Sequence, residues 1–247
     1  DASHPFLPWH KKLWQRFAPT VYRRELPHAL LFTGLPGLGK RYFAERLAEF
    51  ILCQQPLEQG PCGQCKNCQL VSSGNHPDLL QIIPENKSRF IRVDDIRQLT
   101  EWVTQSAYAD GYKVVIIDPA DAMNLAASNS LLKTLEEPPS HVKFLLATTD
   151  PQKIPVTVLS RCLQFSLKPM SPERVVQHLA HVLCLEQVTY DEGALWELGR
   201  AANGSMRDAL SLTDQAIAFG NGVLHQTEVR DMLGSIDRDL VFRVLAA

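Results

Sequence analysis

At 247 residues, with 45% hydrophobic and 21% charged residues, the chain is long enough to bury at least one full core and to form two domains. A net charge of −2 and a pI near 6.5 exclude a basic surface over the whole molecule, so any contact with nucleic acid is local or shared with partners. No apolar run approaches the roughly 18 residues of a membrane span, the opening DASHPFLPWHKK lacks a signal peptide's apolar core, and the expected compartment is cytoplasmic.

The missing initiator Met is expected of a processed or trimmed chain. From Pro8 to Glu25, Trp9, Leu13, Trp14 and Phe17 recur at helical spacing, which predicts an aromatic face packed on the core, with a partner-binding stripe as the alternative. Ala29 to Thr33 is a short apolar run that predicts a strand. It feeds GLPGLGKR, Gly34 to Arg41, a glycine-rich loop opening a helix that runs to about Cys53 with Phe43, Leu47, Phe50 and Ile51 on one face. In such a loop, backbone N–H groups around Gly34, Gly37 and Gly39 turn inward, and the helix N-terminus adds its positive end to hold polyphosphate. Lys40 then sits on the β/γ-phosphates of ATP or ADP. The Ser or Thr that should follow the lysine and bind Mg²⁺ is Arg41.

Cys53, Cys62, Cys65 and Cys68 lie in CQQPLEQGPCGQCKNC, whose overlapping C-x-x-C steps suit one tetrahedral zinc ion. Two disulfides or four buried thiols are the alternatives; a reducing compartment argues against the first, the polar surroundings against the second. Four protein ligands leave no open position, so the zinc is expected to be structural. Cys162 and Cys184 are expected to be ordinary thiols.

Asp78 to Ile83 predicts a strand and Val93 to Ala107 a helix with Ile96, Leu99, Trp102 and Val103 on one side. Lys113 to Asp118, KVVIID, is apolar without alternation, as in a parallel strand buried on both faces. Asp118 ends that strand where open α/β sheets place their ligands, the Walker B position whose Asp holds Mg²⁺. In hydrolysing members of this class a Glu follows and orients water; here Pro119 follows, and Asp121 substitutes only by an unusual backbone path. Asn129 to Pro139 predicts a short helix stopped by two prolines. Strands are expected at Lys143 to Thr149, ending in polar Thr148 and Thr149, and at Leu163 to Leu167. Between them Arg161 is either a surface ion-pair residue or an arginine finger aimed at a neighbour's nucleotide.

From Ser171 strands are expected to cease. Pro172 to Leu185, Asp191 to Ala202, Ser205 to Phe219 and the stretch from Thr227 show helical spacing, broken at Asn203-Gly204 and Gly220-Asn221-Gly222. Trp196 and Leu198 are expected in this domain's core. Arg207 is either solvated or a phosphate sensor.

Together the loop, the four-cysteine insertion, VVIID, NSLLKTLEEPP, SRC and GSMRDALSLTDQAI resemble the clamp-loader subunits of bacterial DNA polymerase III, members of the AAA+ family. Residues 1 to about 130, with RVDDIR and DPADAMN, resemble the delta-prime subunit; those from about 141, HVKFLLATTDPQKIPVTVLSRCLQF onward, resemble gamma/tau. An engineered hybrid or a divergent natural paralogue accounts equally for that junction.

The resemblance implies an α/β fold: a P-loop module at 1–169 with a five-stranded parallel sheet, helices on both faces and a zinc insertion at about 53–70, then an all-α lid at 170–247. It implies that Lys40 and Asp118 hold the Walker positions, Thr148 or Thr149 sensor 1, Arg161 the finger in trans and Arg207 sensor 2. The family's helical collar is missing from this stretch, so the piece alone is expected to be a monomer. The implied partners are gamma/tau and delta subunits, the sliding clamp and, through the assembly, primed DNA. The expected role is a delta-prime-like subunit with impaired or absent hydrolysis that completes a neighbour's site, its Mg²⁺ binding in doubt. The alternatives are an active gamma/tau-like motor and a zinc-containing adaptor without nucleotide.

Overall fold

A computed structural model describes residues 6–84, 90–108 and 111–245, with the backbone alone over 236–245. The first five residues of the opening stretch lie outside the described residues. The chain divides into two compact units, Asp1–Gly34 with Gly39–Leu167, and Leu35–Leu38 with Lys168–Ala247.

The first unit runs α1 (Lys11–Tyr22), β1 (Ala29–Thr33), α2 (Lys40–Leu52), α3 (Lys66–Ser72), β2 (Leu79–Ile82), α4 (Val93–Thr104), β3 (Lys113–Ile117), α5 (Leu125–Glu136), β4 (Val142–Thr148), α6 (Val156–Leu159) and β5 (Leu163–Ser166). Its sheet has the order β2-β3-β4-β1-β5 and every pair is parallel. The central strands KVVII and VKFLLAT are buried along their whole length, which is why they lack alternation. At the edge, β5 buries only Phe165.

Alternate residues of the strands go to opposite faces. Leu31, Val115, Ile117, Phe144 and Leu146 pack with Ile96, Leu99 and Val103 of α4 and Leu131 and Leu135 of α5. On the other face Phe32 meets Phe43 of α2 edge to face, 5.1 Å between centroids, and Trp14 of α1 stacks on Phe50 at 5.7 Å. The predicted aromatic face of α1 is thus core, with Trp14 and Phe17 buried and Trp9 and Leu13 half-buried.

Two buried lysines sit at the starts of the central strands. Lys113 Nζ lies 3.3 Å from Asp78 Oδ1 and 3.8 Å above the Trp102 ring, and Lys143 Nζ donates to the Leu26 carbonyl at 2.7 Å. Burial lowers the Lys143 pKa.

Several boundaries differ from expectation. Helix α4 stops at Thr104. Helix α5 begins ahead of Asn129 because the Asn124 side chain accepts from Ala127 N at 2.8 Å and caps it. The short helices α3 and α6 had no periodic signal, being only one or two turns long.

The second unit contains α7 (Pro172–Leu185), β6 (Thr189–Tyr190), α8 (Glu192–Ala201), α9 (Met206–Phe219), β7 (Val223–Leu224) and α10 (Gln226–Leu245). Strands therefore do not cease at Ser171, since β6 and β7 pair in parallel through Thr189↔Val223 and Tyr190↔Leu224. Two residues each are too few to show a period. Leu198 is fully buried, whereas Trp196 is only half-buried. The α8–α9 break uses Asn203 at φ 48° and Gly204 at φ 82°, where a Cβ would lie 2.7 Å from Pro169 Cβ. Glu197 ties α8 to α10, accepting from Arg230 Nε at 2.7 Å and Gln226 Nε2 at 3.2 Å, with Arg200 Nη2 at 3.0 Å. Among the described residues no helix is long and apolar enough to cross a membrane.

Candidate functional site

The loop after β1 turns on glycines at positive φ: Gly34 at 145°, Gly37 at 79° and Gly39 at 75°. Gly39 precedes α2 in the left-handed region, where a Cβ would lie 2.9 Å from Leu7 Cδ1 and 3.1 Å from His10 Cε1. Within the second unit a Cβ on Gly37 would collide with Ser205 Oγ, and the Gly37 carbonyl accepts from Arg207 N at 3.4 Å. The Arg207 side chain is exposed.

Lys40 opens α2 almost fully buried, and its Nζ donates to the Gly34 carbonyl at 2.8 Å, closing the loop on itself. Burial lowers its pKa, while the carboxylates of Asp118 and Asp121 draw it back up. The Lys40 ammonium is thus a buried point charge at the N-terminus of α2, a kind of place where phosphate oxygens are commonly received.

Asp118 follows β3, its N–H bonded to the Ile82 carbonyl at 3.1 Å. Burial is the largest influence on its carboxyl and raises the pKa; Arg41, then Lys40, pull it down, and Asp121 and Glu45 push it up. After Pro119 the chain makes a tight 3₁₀ turn over Ala120–Ala122. The turn brings Asp121 to the end of β4, where its Oδ1 accepts a hydrogen bond from the buried Thr148 hydroxyl. Thr148 Oγ1 in turn accepts from Asp150 N at 3.0 Å. Lys40, Asp118, Asp121 and Thr148 therefore gather at the carboxyl ends of β1, β3 and β4, whereas Thr149 is exposed.

Two further arginines are held by carboxylates. Arg41 Nε donates to Glu45 Oε1 at 2.8 Å and Nη2 to Gln81 Oε1 at 3.3 Å. Arg161 Nη2 donates to Glu136 Oε1 at 2.6 Å, and its Nη1 to the Thr157 carbonyl at 2.8 Å and to Ser160 Oγ at 3.4 Å. Sequence reasoning passed over Glu45, Gln81 and Glu136. Glu45 had a signal, its i,i+4 spacing from Arg41; the other two had none, because the sheet and the α5 terminus bring them near.

The four cysteines converge. Their sulfurs all lie within 4.8 Å of one another, with Cys53–Cys62 and Cys65–Cys68 at 3.5 Å, Cys53–Cys65 at 3.9 Å and Cys62–Cys68 at 4.0 Å. Sulfurs about 2.3 Å from a tetrahedral zinc lie about 3.8 Å apart, so the set fits that ion. Backbone N–H groups point at the sulfurs: Cys62 N to Cys53 Sγ and Cys65 N to Cys62 Sγ at 3.3 Å, and Cys68 N to Cys65 Sγ at 3.5 Å. Burial raises the Cys65 thiol, but hydrogen bonds led by the Cys68 N–H outweigh it and hold the pKa at about 6. All four thiols are free, as are Cys162, raised to about 12 by burial, and exposed Cys184. Asn67 Nδ2 to the Leu52 carbonyl at 2.8 Å and Trp14 Nε1 to the Gln59 carbonyl at 2.7 Å fasten the module to α2 and α1.

A sequence model described as DNA polymerase III, delta subunit, matches residues 9–171, and one described as the DNA polymerase III clamp loader subunit, ATPase lid domain, matches 174–222. The chain is 45% identical to DNA polymerase III subunit tau/gamma of Haemophilus influenzae, over 90% of this chain and 32% of that protein. It is 46% identical to subunit tau of Escherichia coli, over 89% of this chain and 34% of that protein. Subunit delta' of Pseudomonas aeruginosa is 39% identical, over 85% of this chain and 62% of that protein. The chain thus spans about a third of the tau relatives and under two thirds of the delta' relative. Among solved structures, the Thermotoga maritima RuvB Holliday junction branch migration motor shares the fold at a TM-score of 0.60 and 18% identity, over 92% of this chain and 68% of that one. The parallel sheet, the loop on β1, the helical lid and these matches together place the chain in the family of DNA polymerase III clamp-loader subunits, with an AAA+ fold.

Proposed function

We propose that this chain is a delta-prime-like clamp-loader subunit that holds nucleotide with little or no turnover of its own and supplies Arg161 as a finger to a neighbouring ATPase site. One observation supports the reading: a glycine loop with Lys40 Nζ bonded to the Gly34 carbonyl is combined with Arg41 and Pro119 at the two positions where hydrolysis needs a Mg²⁺ hydroxyl and a water-orienting Glu. On this reading Gly34, Gly37, Gly39 and Lys40 hold the phosphates of ATP or ADP. Asp118 and Thr148 flank the γ position, Thr149 faces away, and Arg207 is the lid's phosphate sensor. The P-loop domain takes residues 1–169 and the lid 170–247.

Cys53, Cys62, Cys65 and Cys68 would hold one structural zinc that stiffens the insertion and takes no part in chemistry. The partners are gamma/tau and delta subunits and the sliding clamp, with primed DNA reached through the assembly, in the cytoplasm.

A gamma/tau-like motor is the second reading, favoured by the 45–46% identity to the tau relatives. Single-turnover ATP hydrolysis separates the two. The delta-prime-like reading expects ATP to be bound and not consumed by the purified chain; turnover at about 1 per second or faster, as in ordinary ATPases, supports the motor and overturns it.

A further inference from the structure

The position after Lys40 normally carries the hydroxyl that binds a divalent ion, and here it carries a cation. Arg41 is exposed, but its guanidinium is tethered. Its Nε is bonded to Glu45 one turn along α2, and its Nη2 to Gln81 on β2. Gln81 is in register with Ile116 of β3, two residues before Asp118. The guanidinium therefore reaches from the loop helix to the strand edge beside the Walker carboxylate, and among the charges opposing burial at Asp118 it acts more strongly than Lys40.

This arrangement does not fit Mg²⁺. That ion demands oxygen ligands in near-octahedral geometry at about 2.0–2.1 Å, whereas a guanidinium offers five N–H donors, no lone pair and a permanent positive charge. A divalent ion brought to Asp118 meets Arg41 as a like charge. A polyphosphate still needs positive charge beside its oxygens, and Lys40 and Arg41 stand in succession at the start of α2 to supply it.

We propose that Arg41 is a built-in counter-cation that takes the place of the divalent ion, so that this phosphate site receives nucleoside di- or triphosphate in its metal-free form. Glu45 and Gln81 are the positioning residues that keep the guanidinium at the strand edge. The inference rests on the reading of Gly34 to Lys40 as a phosphate cradle. It adds that metal independence is a property conferred by one side chain and is reversible by changing it.

The test is titration of the full chain with fluorescent ADP and ATP analogues, in EDTA and in Mg²⁺, with thermal melts confirming that each variant is folded. The wild type is expected to bind within about twofold equally in both buffers. Arg41→Ser, which restores the missing hydroxyl, is expected to bind about tenfold more weakly in EDTA and to regain most of that with Mg²⁺. Arg41→Lys keeps the charge without the fork and is expected to stay insensitive to the metal. Mg²⁺ strengthening wild-type binding about tenfold or more, or Arg41→Ser binding like the wild type in EDTA, overturns the proposal. Lys40→Ala tests the cradle itself: nucleotide binding that survives this change, or absent binding in every protein, removes the cradle reading and the proposal with it.

Discussion

Arg161 and Glu136 are joined by a 2.6 Å hydrogen bond across 25 residues of sequence, linking the end of α5 to the turn before β5. The guanidinium is held at the same time by the Thr157 carbonyl and Ser160 Oγ, so its plane is set without a partner. Both side chains are substantially exposed, and exposed pairs contribute about 1 kcal/mol or less. Arg161→Ala and Glu136→Gln should therefore each shift the free energy of denaturant unfolding by no more than about that amount. In a complex assembled with motor subunits and stimulated by clamp and primed DNA, Arg161→Ala should lower hydrolysis at the adjacent site by about 10³-fold or more, with little rescue by Lys. Unchanged hydrolysis in an assembled mutant complex would leave Arg161 as scaffold.

Zinc should be found at one equivalent by metal analysis, and Cys65→Ser should release it. Because Trp14 Nε1 bonds to the Gln59 carbonyl inside the module, chelation should also alter Trp14 fluorescence while the sheet's circular dichroism persists. A metal-free protein with a fully ordered module under reducing conditions would rule out the metal.

Acid should weaken the lid through Glu197. Hydrogen bonds from Arg200, Arg230 and Gln226 hold its pKa at about 2, below the ordinary value of 4.5. A carboxyl depressed in the folded state contributes stability above its unfolded pKa and loses it as pH falls through the folded one, here between about 4.5 and 2. After allowance for solvent screening the contribution is about 1 kcal/mol at neutral pH. Glu197→Gln should lower stability by that order at pH 7 and flatten the acid limb of a melting series. An acid limb identical in the mutant would show that other carboxyls govern it.

Removing one partner of the Lys113–Asp78 pair should be the most damaging change to the sheet. Both groups are buried, and Asp78 Oδ2 also accepts from Tyr108 N at 2.7 Å. Asp78→Ala strands a buried ammonium and should cost about 3–5 kcal/mol. Lys113→Met together with Asp78→Leu, which leaves no charge behind, should cost clearly less. Urea unfolding of the three proteins decides it, and equal losses for single and double changes would contradict the ion-pair account.

Elements whose physics is local were legible in the order of residues. Nearly unbroken apolar runs marked the central strands because burial on both faces leaves room for few polar residues, here Lys113, Lys143 and Thr148 at the strand ends. Glycines marked the loop because only they enter left-handed backbone beside Leu7 and His10 without collision. Cysteine spacing marked the four-cysteine cluster because the overlapping C-x-x-C steps keep those sulfurs within reach of one another. Where side chains distant in sequence meet was set by packing. Asp121 reaches Thr148 through a turn that no propensity signals, Glu136 finds Arg161 because α5 ends beside the turn before β5, and Gln81 meets Arg41 because β2 lies next to β3 at the sheet's edge. These contacts depend on strand order and register, which arise from the packing of the whole sheet, and a chain read one window at a time contains neither.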